Sequence, residues 1–153
     1  MKEAEVLVYN YTGKKLFVKK KEIVRIVKEI LNILKEKRSV SLALIFLKKG
    51  EIKKLNFFWR KENKETTILS FPLLNKKEPF NDKQIDLGDI FLAPEVIKKR
   101  AKELKVPLKD YFFNLLIHGI CHLYGFSHKT ETKRKRMERV EGRIRKSLLK
   151  DNF

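Results

Sequence analysis

Residues 107–128 read PLKDYFFNLLIHGICHLYGFSH, and the folding of this stretch decides the rest of the molecule. Pro107 precedes a run in which apolar residues dominate, and Gly125 closes it as a residue able to take a left-handed cap. The pattern predicts a helix. Its polar residues are too few to make a solvated face, so the helix belongs at the centre of the fold. All three histidines of the chain lie at its end: His118, His122 and His128. His118 and His122 are four apart and project from one face, one turn from each other. Gly125 lets the chain turn sharply, so that His128 can come back towards them.

The full spacing is H-x-x-x-H-x-x-G-x-x-H, the spacing of metzincin zinc sites without the glutamate that follows their first histidine. A lone histidine is commonly a core or surface residue; three at this spacing around a helix-ending glycine point to a metal. Three neutral nitrogens with a fourth position open define a catalytic rather than a structural zinc site. One zinc ion per chain is the expectation, although imidazole also suits nickel, copper and iron. Cys121 adjoins His122 and could supply a fourth ligand, but a small buried hydrophobe on the neighbouring face is the commoner role.

In zinc proteases the glutamate after the first histidine is the general base. Here that position is Gly119, which has no such group. Peptide hydrolysis is thereby disfavoured. A metal still lowers the pKa of water unaided, and phosphodiester cleavage asks mainly for a cation where phosphoryl charge builds. Arginine suits that task, because its guanidinium pairs bidentately with phosphate and never loses its charge.

Composition agrees. The 153 residues carry 37 Lys and Arg against 19 Asp and Glu, a formal charge of +18. Such a surface attracts polyanions, with nucleic acid foremost. A Lys/Glu-rich hyperthermophile surface would explain many charges of both signs better than a near two-to-one excess of cations. At 42% apolar residues the chain can build a core, and no composition break divides it, so residues 1–153 are expected to form one domain. No apolar run reaches bilayer length, the N-terminus lacks a secretory pattern, and the single cysteine cannot form an internal disulfide. A cytoplasmic protein without a membrane partner is expected.

Outside the histidine helix, AEVLVYN (4–10) and SVSLALIFL (39–47) read as strands. Between them KKEIVRIVKEILNILKEK (20–37) places Ile23, Ile26, Val27, Ile30, Ile33 and Leu34 on one helical stripe. EIKKLNFFWR (51–60) is ambiguous between helix and strand, and its aromatic residues are expected in the core. TTILSF (66–71) and IDLGDIFLAP (85–94) read as strands, and Pro94 opens the helix PEVIKKRAKEL (94–104). TETKRKRMERVEGRIRKSLL (130–149) is a basic helix with Thr130 and Thr132 as possible caps; Lys133 to Arg136, being consecutive, spray around it. The fold class is α+β, a small mixed β-sheet packed with helices, with a zincin-like metal-bearing central helix.

The histidine block resembles H-G-x-L-H-L-x-G-Y-D-H of the YbeY metal-dependent endoribonucleases. LNFFWR resembles that family's L-N-x-x-[YF]-R, TTILSFP its T-D-V-L-S-F-P, and LGDIFLAPEV its L-G-D-I strand. Met137 and Glu141 fall where the family has a Met and a Glu in its last helix. The resemblance implies that His118, His122 and His128 bind zinc and that Arg60 acts in RNA cleavage. It implies a single-stranded RNA substrate, small-subunit (16S) rRNA in maturation, with the ribosome as partner and ribosome quality control alongside. The family's carboxylates at two positions are replaced by Ser127 and Thr67, and its Leu before the second histidine by Cys121. Asp89 is then the surviving candidate for a carboxylate behind the ligands, and Ser70 a weaker candidate to line the cleft. The alternatives are a ribosome-associated RNA-binding or assembly factor with a mainly structural zinc and, more distantly, a metalloprotease. The sequence does not give the oligomeric state.

Overall fold

A computed structural model describes residues 3–73 and 84–150. The chain runs β1 (Ala4–Asn10), α1 (Lys20–Ile33), β2 (Val40–Phe46), α2 (Lys49–Arg60), β3 (Ile68–Pro72), β4 (Ile85–Leu92), α3 (Pro94–Leu104), α4 (Leu108–Leu123) and α5 (Glu131–Lys150). The four strands form one mixed sheet in the order β1-β2-β4-β3, parallel except for β3, which runs antiparallel to β4. This is the α+β class with a small mixed sheet that the sequence predicts.

Strand alternation sets which side is covered. Val40, Leu42, Leu44 and Phe46 of β2 are buried on one face, beneath α1 and α4. α1 brings Ile23, Ile26, Val27, Ile30 and Leu31 to that core, all of them fully buried, each side chain worth about 1.5–3 kcal/mol. Ile33 and Leu34, expected on the same stripe, are only partly buried, because the helix ends at Ile33 and Lys35 turns left-handed. α5 closes over α4 and α1 with Met137, Ile144 and Leu148. Its first turn is capped as foreseen at Thr130, whose Oγ1 accepts from the Lys133 N–H at 3.2 Å.

The opposite face of the sheet is covered only in part. α2 lies at its β3–β4 side, where Ile52 packs with Leu69, Ala93 and Val96, and α3 bridges α2 and α4 with Val96 in this cluster and Ile97 in the main core. The ambiguous segment 51–60 is thus a helix, and the expectation for its aromatics is corrected. Its buried residues are Ile52 and Asn56, one turn apart, while Phe57, Phe58 and Trp59 are 54%, 67% and 60% exposed. Three consecutive residues span about 200° of a helix and cannot share its inner face.

Two glycines set the close approaches. In β4 the register passes from Ser41↔Asp86 to Ala43↔Asp89, so that Leu87 and Gly88 together oppose Leu42, a β-bulge. Gly88 sits at φ 128°, and a Cβ there would strike the Phe71 carbonyl oxygen. Gly119 lies where α4 meets the sheet. A Cβ there would come within 2.9 Å of Ile68 Cδ1, 3.1 Å of Ile90 Cδ1 and 3.2 Å of Ser70 Oγ. A glutamate at position 119 would be driven into β3 and β4, so the absent general base and the close helix–sheet contact share one cause.

Candidate metal centre

The histidines gather because α4 ends where it does. Gly125, at φ 91°, donates its N–H to the His122 carbonyl at 2.9 Å, and Phe126 donates to Cys121 at 3.1 Å. These are the paired bonds of a Schellman motif, and they turn the chain so that His128 faces back towards α4. His118 Nε2 and His122 Nε2 are 3.1 Å apart, and one nitrogen from each of the three rings lies within 4.8 Å of the others. Tetrahedral zinc with bonds of about 2.0–2.1 Å requires nitrogens roughly 3.3 Å apart, so the donor set fits the ion.

His122 is prepared as a neutral ligand. Burial, then the neighbouring His118 and His128 and the charge of Arg60, push its pKa down to about 4. The lone pair a metal needs is therefore present throughout the neutral range. His118 is oriented from behind: its Nδ1 lies 3.3 Å from Glu141 Oε2 on α5, in a pair whose carboxylate side chain is 12% exposed. The tautomer that donates from Nδ1 leaves Nε2 free to face the other imidazoles.

Glu141 occupies the role for which the sequence offered Asp89. Asp89 lies across the sheet, on the face away from α4, lining a cleft of about 410 Å³ with Tyr9, Tyr11, Ala43, Asp86 and Phe91. Burial and then the charge of Asp86 raise its pKa. It makes no contact with the imidazoles among the described residues. Exchange of Glu141 for Gln should keep the fold and lower zinc affinity about 10–100-fold, read by competition with a chelating dye. An unchanged affinity would mean that His118 is oriented without it.

Cys121 points into the core, fully buried, and its thiol is pushed up to about 12, first by burial and then by the charge of Glu141. Among the described residues the converging donors are the three imidazoles, and Cys121 is not one of them. Ser70 packs against α4 at Gly119, the residue after His118.

Arg60 is the last residue of α2, exposed, and close enough for its charge to act on His122. Lys61 follows in the left-handed conformation and ends the helix there. Asn56, buried one turn earlier, donates from Nδ2 to the Lys64 carbonyl at 3.1 Å and so pins the loop beyond Arg60. Motif spacing alone assigns no role to Asn56 or Glu141. The signal for Asn56 was a polar residue four after Ile52 on the inner stripe.

A sequence model of the family described as Endoribonuclease YbeY matches residues 8–149, which include every residue of the site. Proteins bearing that name are similar over much of the chain. The one from Buchnera aphidicola subsp. Acyrthosiphon pisum is 39% identical over 79% of this chain and 77% of its own length. The one from Buchnera aphidicola subsp. Baizongia pistaciae is 36% identical over 72% of this chain and 70% of its own. For Sinorhizobium medicae the figures are 38%, 69% and 62%. The chain thus spans from somewhat under two thirds to about three quarters of these relatives. The solution structure of a Thermotoga maritima protein, 21% identical, has a TM-score of 0.57 over 97% of this chain and 93% of that one, a likeness of fold.

Proposed function

The chain belongs to the endoribonuclease YbeY family, and from that membership we propose that it is a metal-dependent hydrolase cutting phosphodiester bonds of single-stranded RNA. Its substrate is ribosomal RNA, in 16S maturation and in quality control on the ribosome, in the cytoplasm. The domain acts as one unit over residues 1–153. The observation that carries the reading is the convergence of three imidazoles beside the unburied arginine Arg60.

His118, His122 and His128 would hold the zinc, which when bound would supply Lewis acidity towards a phosphoryl oxygen and lower the pKa of water towards neutrality. The remaining work falls to the chain. Arg60 binds the non-bridging phosphate oxygens and offsets the charge that accumulates on them. Glu141 holds the His118 ring in register. Gly119 withholds the carboxylate that peptide hydrolysis would need. Phe57, Phe58 and Trp59, exposed next to Arg60, offer ring faces to unpaired bases, which favours single strands over duplex. No helix among the described residues is long and apolar enough to cross a membrane.

The test is cleavage of an end-labelled single-stranded RNA and of its duplex. The zinc-loaded protein should cut the single strand, lose activity on chelation and regain it with zinc. A protein that holds zinc and binds RNA yet cuts nothing, even with small ribosomal subunits added, would be an assembly factor with a structural metal.

A further inference from the structure

Beside the turn that carries His128 is a second recess, of about 540 Å³, which the metal centre does not use. Tyr124, Gly125, Phe126 and Ser127 form one wall, so the recess and the imidazoles share a single five-residue turn. The other wall is α5, from which Lys133, Arg136 and Arg143 face inward. These three follow the helical repeat at i, i+3 and i+10, one face of α5. Two neighbouring cations of the same helix are paired along it, Arg134 with Glu138 at 2.8 Å and Lys135 with Glu131 at 3.5 Å. Among the described residues none of the three recess cations forms an ion pair.

The facing wall is aromatic and fixed. The Tyr124 hydroxyl donates to Glu36 Oε1 at 2.9 Å, and the Glu36 carboxylate is held in turn by Arg38 at 2.8 and 3.0 Å. That buried carboxylate already has its own guanidinium, so it leaves the recess cations uncompensated. Phe126 is half-buried against the core.

We propose that this recess is a subsite for the RNA strand: Lys133, Arg136 and Arg143 bind backbone phosphates flanking the scissile one, and Tyr124 and Phe126 contact an adjoining base. The inference rests on the nuclease reading for its substrate class. Cations left without partners opposite fixed rings suit a chain of phosphates and bases. The shared turn places the strand within reach of the imidazoles. The recess would thus fix which phosphate is presented to the site.

The experiment is binding of a fluorescent single-stranded RNA across a salt series, with zinc content and thermal melting recorded for each protein. Joint Lys133→Ala, Arg136→Ala and Arg143→Ala should lower the slope of log affinity against log salt by about 2, since single strands contribute about 0.7 per neutralised phosphate. Referred to 1 M, that is on the order of 50-fold in affinity at 0.15 M salt. Arg136→Ala alone should lower the slope by about 0.7, which keeps the test open should the triple variant fold poorly. Zinc content should not change. Alanine at Lys99, Arg100 and Lys102, exposed on α3, is the control for net charge.

An unchanged slope in the recess variants, or an equal loss in the α3 control, overturns the proposal. So does a mononucleotide that binds wild type tightly and the triple variant weakly while RNA binding is the same in both; the recess would then be a site for free nucleotides. Binding is read without cleavage. If wild type cuts nothing but the recess variants lose RNA, the nuclease reading fails and the subsite stands.

Discussion

His122→Ala is expected to purify without zinc and to leave single-stranded RNA uncut. Removing the middle imidazole leaves His118 and His128 as a two-nitrogen site, and Cys121, buried in the core, cannot swing in as a replacement. Zinc affinity should fall by at least about 10³-fold and cleavage by a similar factor, since a structure without its ion has lost its Lewis acid. Elemental analysis reads the first and gel assays the second. The same variant carries a pH signature in the metal-free protein. His122 is held at about 4 in the fold against an ordinary 6.5. A depressed pKa means that the unfolded chain takes up the proton first as pH falls. The neutral ring's contribution is therefore complete above about 6.5 and is lost progressively towards about 4. Wild type in chelator should lose thermal stability across that window, and His122→Ala should lose less. Stoichiometric zinc in His122→Ala would place the metal elsewhere.

What could be read from the sequence was local. Two histidines one helical turn apart and a glycine at the cap position settle a geometry within eleven residues, and the structure closes that turn with the expected backbone bonds. Glu141 stood outside this range. It lies 23 residues beyond His118, and only the packing of α5 on α4 brings its carboxylate to Nδ1. Asp89 misled for a related reason. The face a strand residue occupies depends on parity, and the bulge at Leu87 and Gly88 puts Asp86 and Asp89 on the same side despite their odd separation. The aromatics of α2 are another matter: once the segment is taken as a helix, its period alone turns most of Phe57, Phe58 and Trp59 outward. Likewise the recess cations are one helical face at 133, 136 and 143, a pattern hidden by the consecutive run from Lys133 to Arg136.

Arg60→Ala should keep its zinc and lose its chemistry. The arginine is exposed and makes no described ion pair, so truncation removes neither a core contact nor a ligand, and melting should move little. Loss of a preorganised charge aimed at a transition state typically costs about 10²–10³ in kcat, or about 2.7–4 kcal/mol. The same loss is expected here, with KM changed far less. Arg60→Lys should recover only part of it, because an ammonium is a point charge and cannot pair with two phosphate oxygens in one plane. A second readout separates charge from shape. Arg60 is one of the groups holding down the pKa of His122, behind burial and the two other histidines. Its removal should let that pKa rise slightly in the metal-free protein, and Arg60→Lys should not, as an NMR titration of the ring would show. A variant with the shifted titration and full cleavage would leave Arg60 near the metal but out of the reaction. Loss of cleavage together with loss of zinc would make it a structural residue. Loss of cleavage alone assigns the phosphate to Arg60.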